Sequence, residues 1–307
     1  MNNGIKNPFS LANRLVILIG ATGGLGKAVS RAVVYSGASR VALVDNGPGS
    51  KSKLQKLEKE LKDLCWKTSN PGGFRIASFQ CDITESSKVE DLMEEIFEKD
   101  KKGLYKEESN YSSCSLINMA GICENISAID YPQENITRVM DINLLGSMLV
   151  AREFAKQVIK SRFYEIRHYP ASIVLTASMS GSIVNYPQPQ APYNMTKAGV
   201  IHLSKSLASE WVNHNIRVNS LSPGYILTPM TKEILERDER EKAELHNNQK
   251  KLVPSVVSIG EEWKKRTPMG RLADPEELAW PMVFLASDAS SFMTGSDLIV
   301  DGGYTIL

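Results

Sequence analysis

The chain has 307 residues, with 42% hydrophobic and 23% charged, enough to bury a sizeable core in one large or two small domains. A formal net charge of +1 gives no electrostatic case for a nucleic-acid partner or an acidic membrane surface. The cysteines, Cys65, Cys81, Cys114 and Cys123, form no CxxC and have no histidine at metal-ligand spacing, so a reduced cytoplasmic chain without a metal site is expected.

The first strand-like stretch, RLVILIG at 14–20, has an unbroken apolar run only from Leu15 to Ile19. That run is too short for a signal-peptide core or a membrane span, so no membrane partner is expected. Similar stretches follow at 40–45, 75–80, 115–120, 172–178, 216–222 and 297–302. They are near-continuously aliphatic, as strands buried on both faces are. Between them run helical patterns: Leu54, Leu57, Leu61 and Leu64, then Val89, Leu92 and Ile96, then Val200, Leu203, Leu207 and Trp211. A last helix opens with Asp274 as cap and Pro275 in its first turn.

This alternation predicts an α/β fold: one doubly wound parallel sheet of about seven strands with helices on both faces, in a single domain over 1–307. Two stretches read as insertions. Residues 100–114 are polar and are expected to form a surface loop. Residues 229–265 are rich in lysine and glutamate, enclose LVPSVVSIG, and are expected to form a helical lid over the substrate.

GATGGLG at 20–26 follows the first strand and precedes a helical pattern. Glycines there permit a tight turn, and the helix N-terminus offers free N–H groups to a phosphate. Asp45 ends the second strand, where a carboxylate suits the two ribose hydroxyls of NAD and repels the 2′-phosphate of NADP. Asn46 follows it and Gly23 sits in the turn, so neither position is basic. NAD is therefore favoured over NADP. Tyr193 and Lys197 in YNMTK lie four residues apart, one turn of a helix, where an ammonium can tune a phenol. That pair alone decides nothing.

The motifs taken together resemble those of the short-chain dehydrogenase/reductase family. GATGGLG has its GxxxGxG spacing, with Ile19 in place of the usual Thr. CDIT at 81–84, NMAG at 118–121, DINLLG at 141–146, TASMSG at 176–181, YNMTK at 193–197, RVNSLSPGYILTPM at 217–230 and TGSDLIVDGGYT at 294–305 follow in the family's order. The resemblance spans about 14–305 and implies a single Rossmann-type sheet. It implies cofactor contacts from Gly20, Gly24, Leu25, Gly26, Asp45, Asp82, Ile83, Asn118, Ala120, Gly121, Pro223, Gly224, Ile226 and Thr228, with Tyr193 and Lys197.

It also implies that Tyr193 is the acid/base and that Lys197 lowers its pKa. Ser178 would bind the substrate oxygen, and Asn143 would hold a water linking Lys197 to solvent. His202 and His214 read as structural. The segments around 217–230, 268–279 and the ending VDGGYT look most like the family's fungal polyol dehydrogenases, which implies a sugar alcohol/ketose pair as substrate. An apolar alcohol or ketone is the alternative, and a non-catalytic NAD(H) sensor or scaffold is the alternative from another class. The resemblance also implies a homodimer or homotetramer packed through helices at about 136–160 and 193–213.

Overall fold

The computed structural model describes residues 7–67, 74–101, 113–161, 171–248 and 258–306. Seven strands form one parallel sheet: β1 Arg14–Ile19, β2 Arg40–Asp45, β3 Arg75–Gln80, β4 Ser113–Asn118, β5 Ala171–Thr176, β6 Ile216–Pro223 and β7 Asp297–Val300. Their order is β3-β2-β1-β4-β5-β6-β7. The order reverses between β1 and β4, which leaves a crevice at the carboxyl ends of those two strands.

Helices α1 Gly24–Tyr35, α2 Ser50–Lys67 and α9 Pro275–Ala286 cover one face; α3 Ser86–Lys101, α5 Gly146–Lys160 and α6 Ala191–Trp211 cover the other. Between α3 and α5 lies α4 Gln133–Met140, which runs through a wider π turn, Asp141–Leu145, into α5. Each face has its own apolar layer. Val29, Val33, Leu57 and Met282 pack on one side of the strands, and Val89, Phe154, Val200 and Leu207 on the other. The strands alternate between these layers: Ile17 and Leu116 face one, Val16 and Ile117 the other. That double burial is why the strands read as continuous apolar runs. No helix among the described residues is long and apolar enough to cross a membrane.

Two strand ends fall short of the sequence expectation for a common reason. β1 stops at Ile19 because Gly20 turns away with φ +77°, and β7 stops at Val300 ahead of Gly302 and Gly303, both at positive φ. β5 ends at Thr176, so Ser178 lies beyond the strand rather than on it. β4 starts at Ser113, so the end of the expected loop 100–114 is strand and its beginning belongs to α3; the remainder lies outside the described residues.

The expected 229–265 excursion is α7 Pro229–Asn248 and α8 Ile259–Arg266. Ser258 starts α8 with a reciprocal capping box to Glu261. Most of LVPSVVSIG, 252–257, lies outside the described residues.

Phe154 is fully buried between α5 and α3, edge-on to Phe97 with centroids 6.0 Å apart. Phe154→Ala is expected to lower the unfolding free energy by about 3–5 kcal/mol, read from denaturant midpoints at unchanged m-value.

Candidate active site

The site gathers at the carboxyl ends of β1, β2, β4, β5 and β6. At the end of β1 the chain must reverse within a few residues to start α1. Gly20 and Ala21 donate to Val44 O at 2.9 and 3.1 Å, which ties the turn to β2. A Cβ on Gly26 would lie 2.2 Å from Gly20 O, so only glycine allows α1 to close on the turn. The α1 N-cap, Gly23, makes no side-chain cap, and its first turn carries no acidic residue. The first N–H groups of α1 are thus available to an anion.

Asp45 ends β2. Its Oδ2 accepts from Thr22 N at 2.9 Å and Thr22 Oγ1 at 2.8 Å, and its Oδ1 accepts from Gly47 N at 3.0 Å. The carboxylate is thereby fixed beside the glycine turn and keeps lone pairs for further hydroxyls. Asp82 accepts from Thr84 N and Oγ1 at 3.0 and 2.7 Å, and these bonds hold its carboxyl below the usual range. Ile83 is buried beneath Gly146, where a Cβ would meet its Cδ1 at 2.8 Å.

Asn118 closes β4 inward. Its Nδ2 donates to Ser147 Oγ at 3.0 Å and its Oδ1 accepts from Ala120 N at 3.1 Å. Ala120 N is also the atom a Cβ on Gly20 would strike, at 2.8 Å, so the β1 and β4 turns touch through bare backbone. Asn143 sits in the π turn, fully buried. Its Oδ1 accepts from Ile122 N at 2.9 Å; its Nδ2 donates to Ile122 O at 2.9 Å and Thr196 Oγ1 at 3.1 Å. The side chain therefore fastens the β4 turn to α6.

Beyond β5, Ser178 caps a short 3-10 turn, Met179–Gly181, accepting from Ser180 N at 3.1 Å, and its Oγ donates to Ser180 Oγ at 3.0 Å. Gly181 lets α6 lie against this turn: a Cβ there would be 2.7 Å from Ala198 N. Tyr193 is in the first turn of α6, and Lys197 follows one turn later with its Nζ 5.5 Å from the Tyr193 ring centroid. Lys197 is 3% exposed, and its Nζ donates to Thr176 O at 2.8 Å. After β6, a Cβ on Gly224 would lie 2.7 Å from Asp301 Cα, which forces Pro223–Gly224 close to the end of β7.

These turns enclose a cavity of about 200 Å³. Of the sequence-derived site residues, Ser178, Tyr193, Lys197, Leu25, Gly121, Pro223, Gly224, Ile226 and Thr228 line it. Gly20, Gly24, Gly26, Ala120, Asp45, Asp82, Ile83, Asn118 and Asn143 lie outside its lining.

Some of what lines the cavity went unread in the sequence. Asn185, Gln188 and Gln190 lie in a Pro- and amide-rich stretch that resembles a surface loop, yet each is buried. Tyr225 stacks on Trp263 of α8, centroids 4.0 Å apart. Cys123 also reaches the cavity, its thiol pushed up to about 12 by burial. Neither His202 nor His214 lines it.

The electrostatics correct one expectation. Burial pushes the Tyr193 phenol above its ordinary value; Cys123 adds to the rise and a hydrogen bond with Ser178 opposes it. The phenol is thus raised rather than lowered, because its own burial outweighs the nearby ammonium; burial separately pulls Lys197 down to about 8.

A glycine turn at an uncapped helix N-terminus, ahead of a tyrosine–lysine pair at a topological switch point, defines a dinucleotide-dependent oxidoreductase of the α/β class. The comparisons specify which. The profile of the family described as short chain dehydrogenase matches residues 14–239, and one described as Enoyl-(Acyl carrier protein) reductase matches 247–305. The chain belongs to the short-chain dehydrogenase/reductase family.

It is 40% identical over 302 residues to a D-arabinitol 2-dehydrogenase (ribulose-forming) of Candida tropicalis, covering 96% of this chain and 94% of that one. It is 38% identical over 299 residues to an NADH-dependent L-xylulose reductase of Ambrosiozyma monospora, covering 97% of each. With a probable NADP-dependent mannitol dehydrogenase of Yarrowia lipolytica the identity is 35% over 305 residues, covering 99% and 92%. A solved short-chain type dehydrogenase/reductase from Mycobacterium marinum matches with a TM-score of 0.77 at 30% identity, over 98% of both chains.

Lys197 binds fewer protons when folded than when unfolded between about pH 8 and its ordinary value of 10.5. Its burial penalty is complete below about pH 8 and fades as pH rises through that window. Relative to wild type, Lys197→Met is therefore expected to be more stable at about pH 7 than at about pH 10, measured by denaturant unfolding at both.

Proposed function

We propose that the protein interconverts a secondary alcohol and a ketone on a neutral polyhydroxylated substrate, a sugar alcohol/ketose pair, with NAD(H) as cofactor. One observation carries the substrate class. Lys197 is the only formally charged side chain lining the cavity among the described residues, and the amides Asn125, Asn185, Gln188 and Gln190 share the lining. A carboxylate or phosphate would find no second cation there. Hydroxyls, which both donate and accept, match amides. The polyol chemistry in the names of the similar proteins agrees with this reading.

Bound NAD(H) would carry the hydride, held by the glycine turn, Asp45, the Asp82–Ile83 and Asn118–Gly121 segments, and Pro223 to Thr228. The remaining roles fall to the chain. Tyr193, whose raised pKa keeps it protonated, gives its proton to the ketone oxygen during reduction. Ser178 donates to the same oxygen as charge develops on it. Lys197 keeps a positive charge behind the phenol, and Asn143 holds the β4 turn against α6 so that Lys197 stays aligned.

NAD(H) over NADP(H) rests on Asp45, whose charge opposes a 2′-phosphate, and on the lack of any lysine or arginine in 20–26. The helices α7 and α8 act as a lid, since Thr231, Ile234 and Trp263 reach the cavity. Self-association would use the apolar groove of Leu144, Leu145, Met148 and Leu203 on the helices that pair in this family.

Met119, Ile122, Met179 and Ile234 in the same lining support a second reading, in which the substrate is an apolar ketone. Steady-state oxidation of NADH and NADPH against ketoses and apolar ketones separates the two. Ketose-dependent turnover is expected, with NADH favoured by at least about tenfold in kcat/KM. Turnover of apolar ketones alone would replace the substrate assignment.

Two variants test the roles. Tyr193→Phe is expected to lower kcat by about 100- to 10,000-fold while NADH still binds. Asp45→Ser is expected to narrow the NADH preference; an unchanged NADH/NADPH ratio would remove Asp45 from cofactor choice.

A further inference from the structure

Residues 185–190 lead into α6, and their amides bond to the Met179–Gly181 turn, Tyr225, Trp263 of α8, Asn194 and, in one case, each other. Asn185 Nδ2 and Gln188 Nε2 donate to the Tyr225 hydroxyl at 3.0 and 2.9 Å. Trp263 Nε1 donates to Gln188 Oε1 at 3.0 Å. Together with the Tyr225–Trp263 stack, these bonds make one end of the segment rigid.

The other end is different. Gln190 Nε2 faces three acceptors: Asn194 Oδ1 at 2.8 Å, Asn185 Oδ1 at 3.0 Å and Ser180 Oγ at 3.3 Å. An amide nitrogen carries two hydrogens, which serve Asn194 Oδ1 and Asn185 Oδ1; Ser180 Oγ, the longest contact, accepts from Ser178 Oγ at 3.0 Å. Among the described residues, Gln190 Oε1 has only the Cys123 thiol as partner, at 3.9 Å, and a thiol is a weak donor that here also faces Asn125 Oδ1. Gln190 is itself 6% exposed. Gln190 Oε1 is therefore a buried acceptor at the cavity wall that lacks a strong donor. Leaving such an acceptor weakly met is costly, and a ligand hydroxyl supplies the strong donor.

This acceptor's residue lies next to the reacting centre. Ser180 Oγ joins Gln190 Nε2 to Ser178 Oγ, and Gln190 precedes Tyr193 by three residues, one helical turn. Gln190 lines the same cavity as Ser178 and Tyr193, within reach of a substituent beside the reacting carbon.

Given the polyol reading above, we propose that Gln190, braced by Asn185, is the specificity-determining residue that reads the hydroxyl on the carbon next to the reacting one. An apolar ketone leaves Gln190 Oε1 with the thiol alone, and a hydroxyketone gives it a hydroxyl donor. The discrimination comes from hydrogen bonding rather than from cavity size.

The test compares kcat/KM for a ketopentose and for pentan-2-one, with NADH, in wild type and Gln190→Met. The ketopentose/pentan-2-one ratio is expected to fall at least about 30-fold in the variant. An unchanged ratio overturns the proposal, including the case in which both rates fall together, which would mean that Gln190 only orients Ser178.

A second measurement needs no variant. In wild type, removing one of the two hydroxyls that flank the carbonyl of a ketopentose, at C1 or at C3, should cost at least about 30-fold in kcat/KM, and removing the distant C5 hydroxyl far less. Equal losses overturn the proposal. Failure of wild type to turn over any ketose removes the polyol reading and this one with it. Ketose turnover with an unchanged ratio removes the subsite alone.

Discussion

A buried ammonium is the feature around which the catalytic half of this protein is organised. Lys197 lies on the first turns of α6, almost without solvent, and an unpaired cation there would be prohibitively costly. The fold answers with backbone. Thr176, the last residue of β5, turns its carbonyl to the Nζ. Gly121 leaves open the space in which Asn143 Oδ1 and Lys197 Nζ converge, since a Cβ there would be 3.3 and 3.4 Å from them. Gly181 lets α6 approach the β5 exit closely enough for the lysine to reach. Each feature is a local sequence choice, and each would be unnecessary if the lysine pointed to water.

The sheet makes those choices converge. The parallel strands end at one edge, and four exits are tied to a neighbour rather than left to wander: Gly20 and Ala21 to β2, Met119 to β1, Ala177 to β6 and Gly224 to β7. The π turn at Asp141–Leu145 sits between α4 and α5 where Asn143 must turn its amide toward Ile122 and Thr196. A widened turn at such a place is a common mark of function rather than of disorder. Geometry that is rigid at the backbone level is what a proton transfer needs, because small displacements of the donor are expensive in rate.

What was readable in the sequence follows from how local each signal is. The strands were legible because burial on both faces leaves nothing but aliphatic residues, as in Leu15–Ile19. The glycine turn was legible because Gly26 tolerates no Cβ, and the Tyr193–Lys197 pair because helical spacing is local. The site residues off the strands needed the family resemblance to be placed at all. Strand ends shifted where a glycine at positive φ or a cap intervened.

The amide wall was not legible. Asn185, Gln188 and Gln190 look like solvent-facing residues between prolines, and only the approach of Tyr225 and of Trp263 from α8 makes them interior. The same holds for Cys123, an ordinary thiol in the sequence and a cavity residue in the fold. The phenol's pKa likewise depends on burial: helical spacing beside an ammonium points to a lowered phenol, and desolvation of the phenol itself reverses that direction.

The most direct test of the account follows the hydride and proton together. NADH carrying deuterium at the transferable position of C4 would be incubated with a ketose, and the product analysed by mass spectrometry and NMR. The account predicts a sugar alcohol with deuterium on the former carbonyl carbon, formed by wild type and at most about one-hundredth as fast by Tyr193→Phe. Sugar alcohol without the label, or labelled product formed equally fast by the variant, would contradict it.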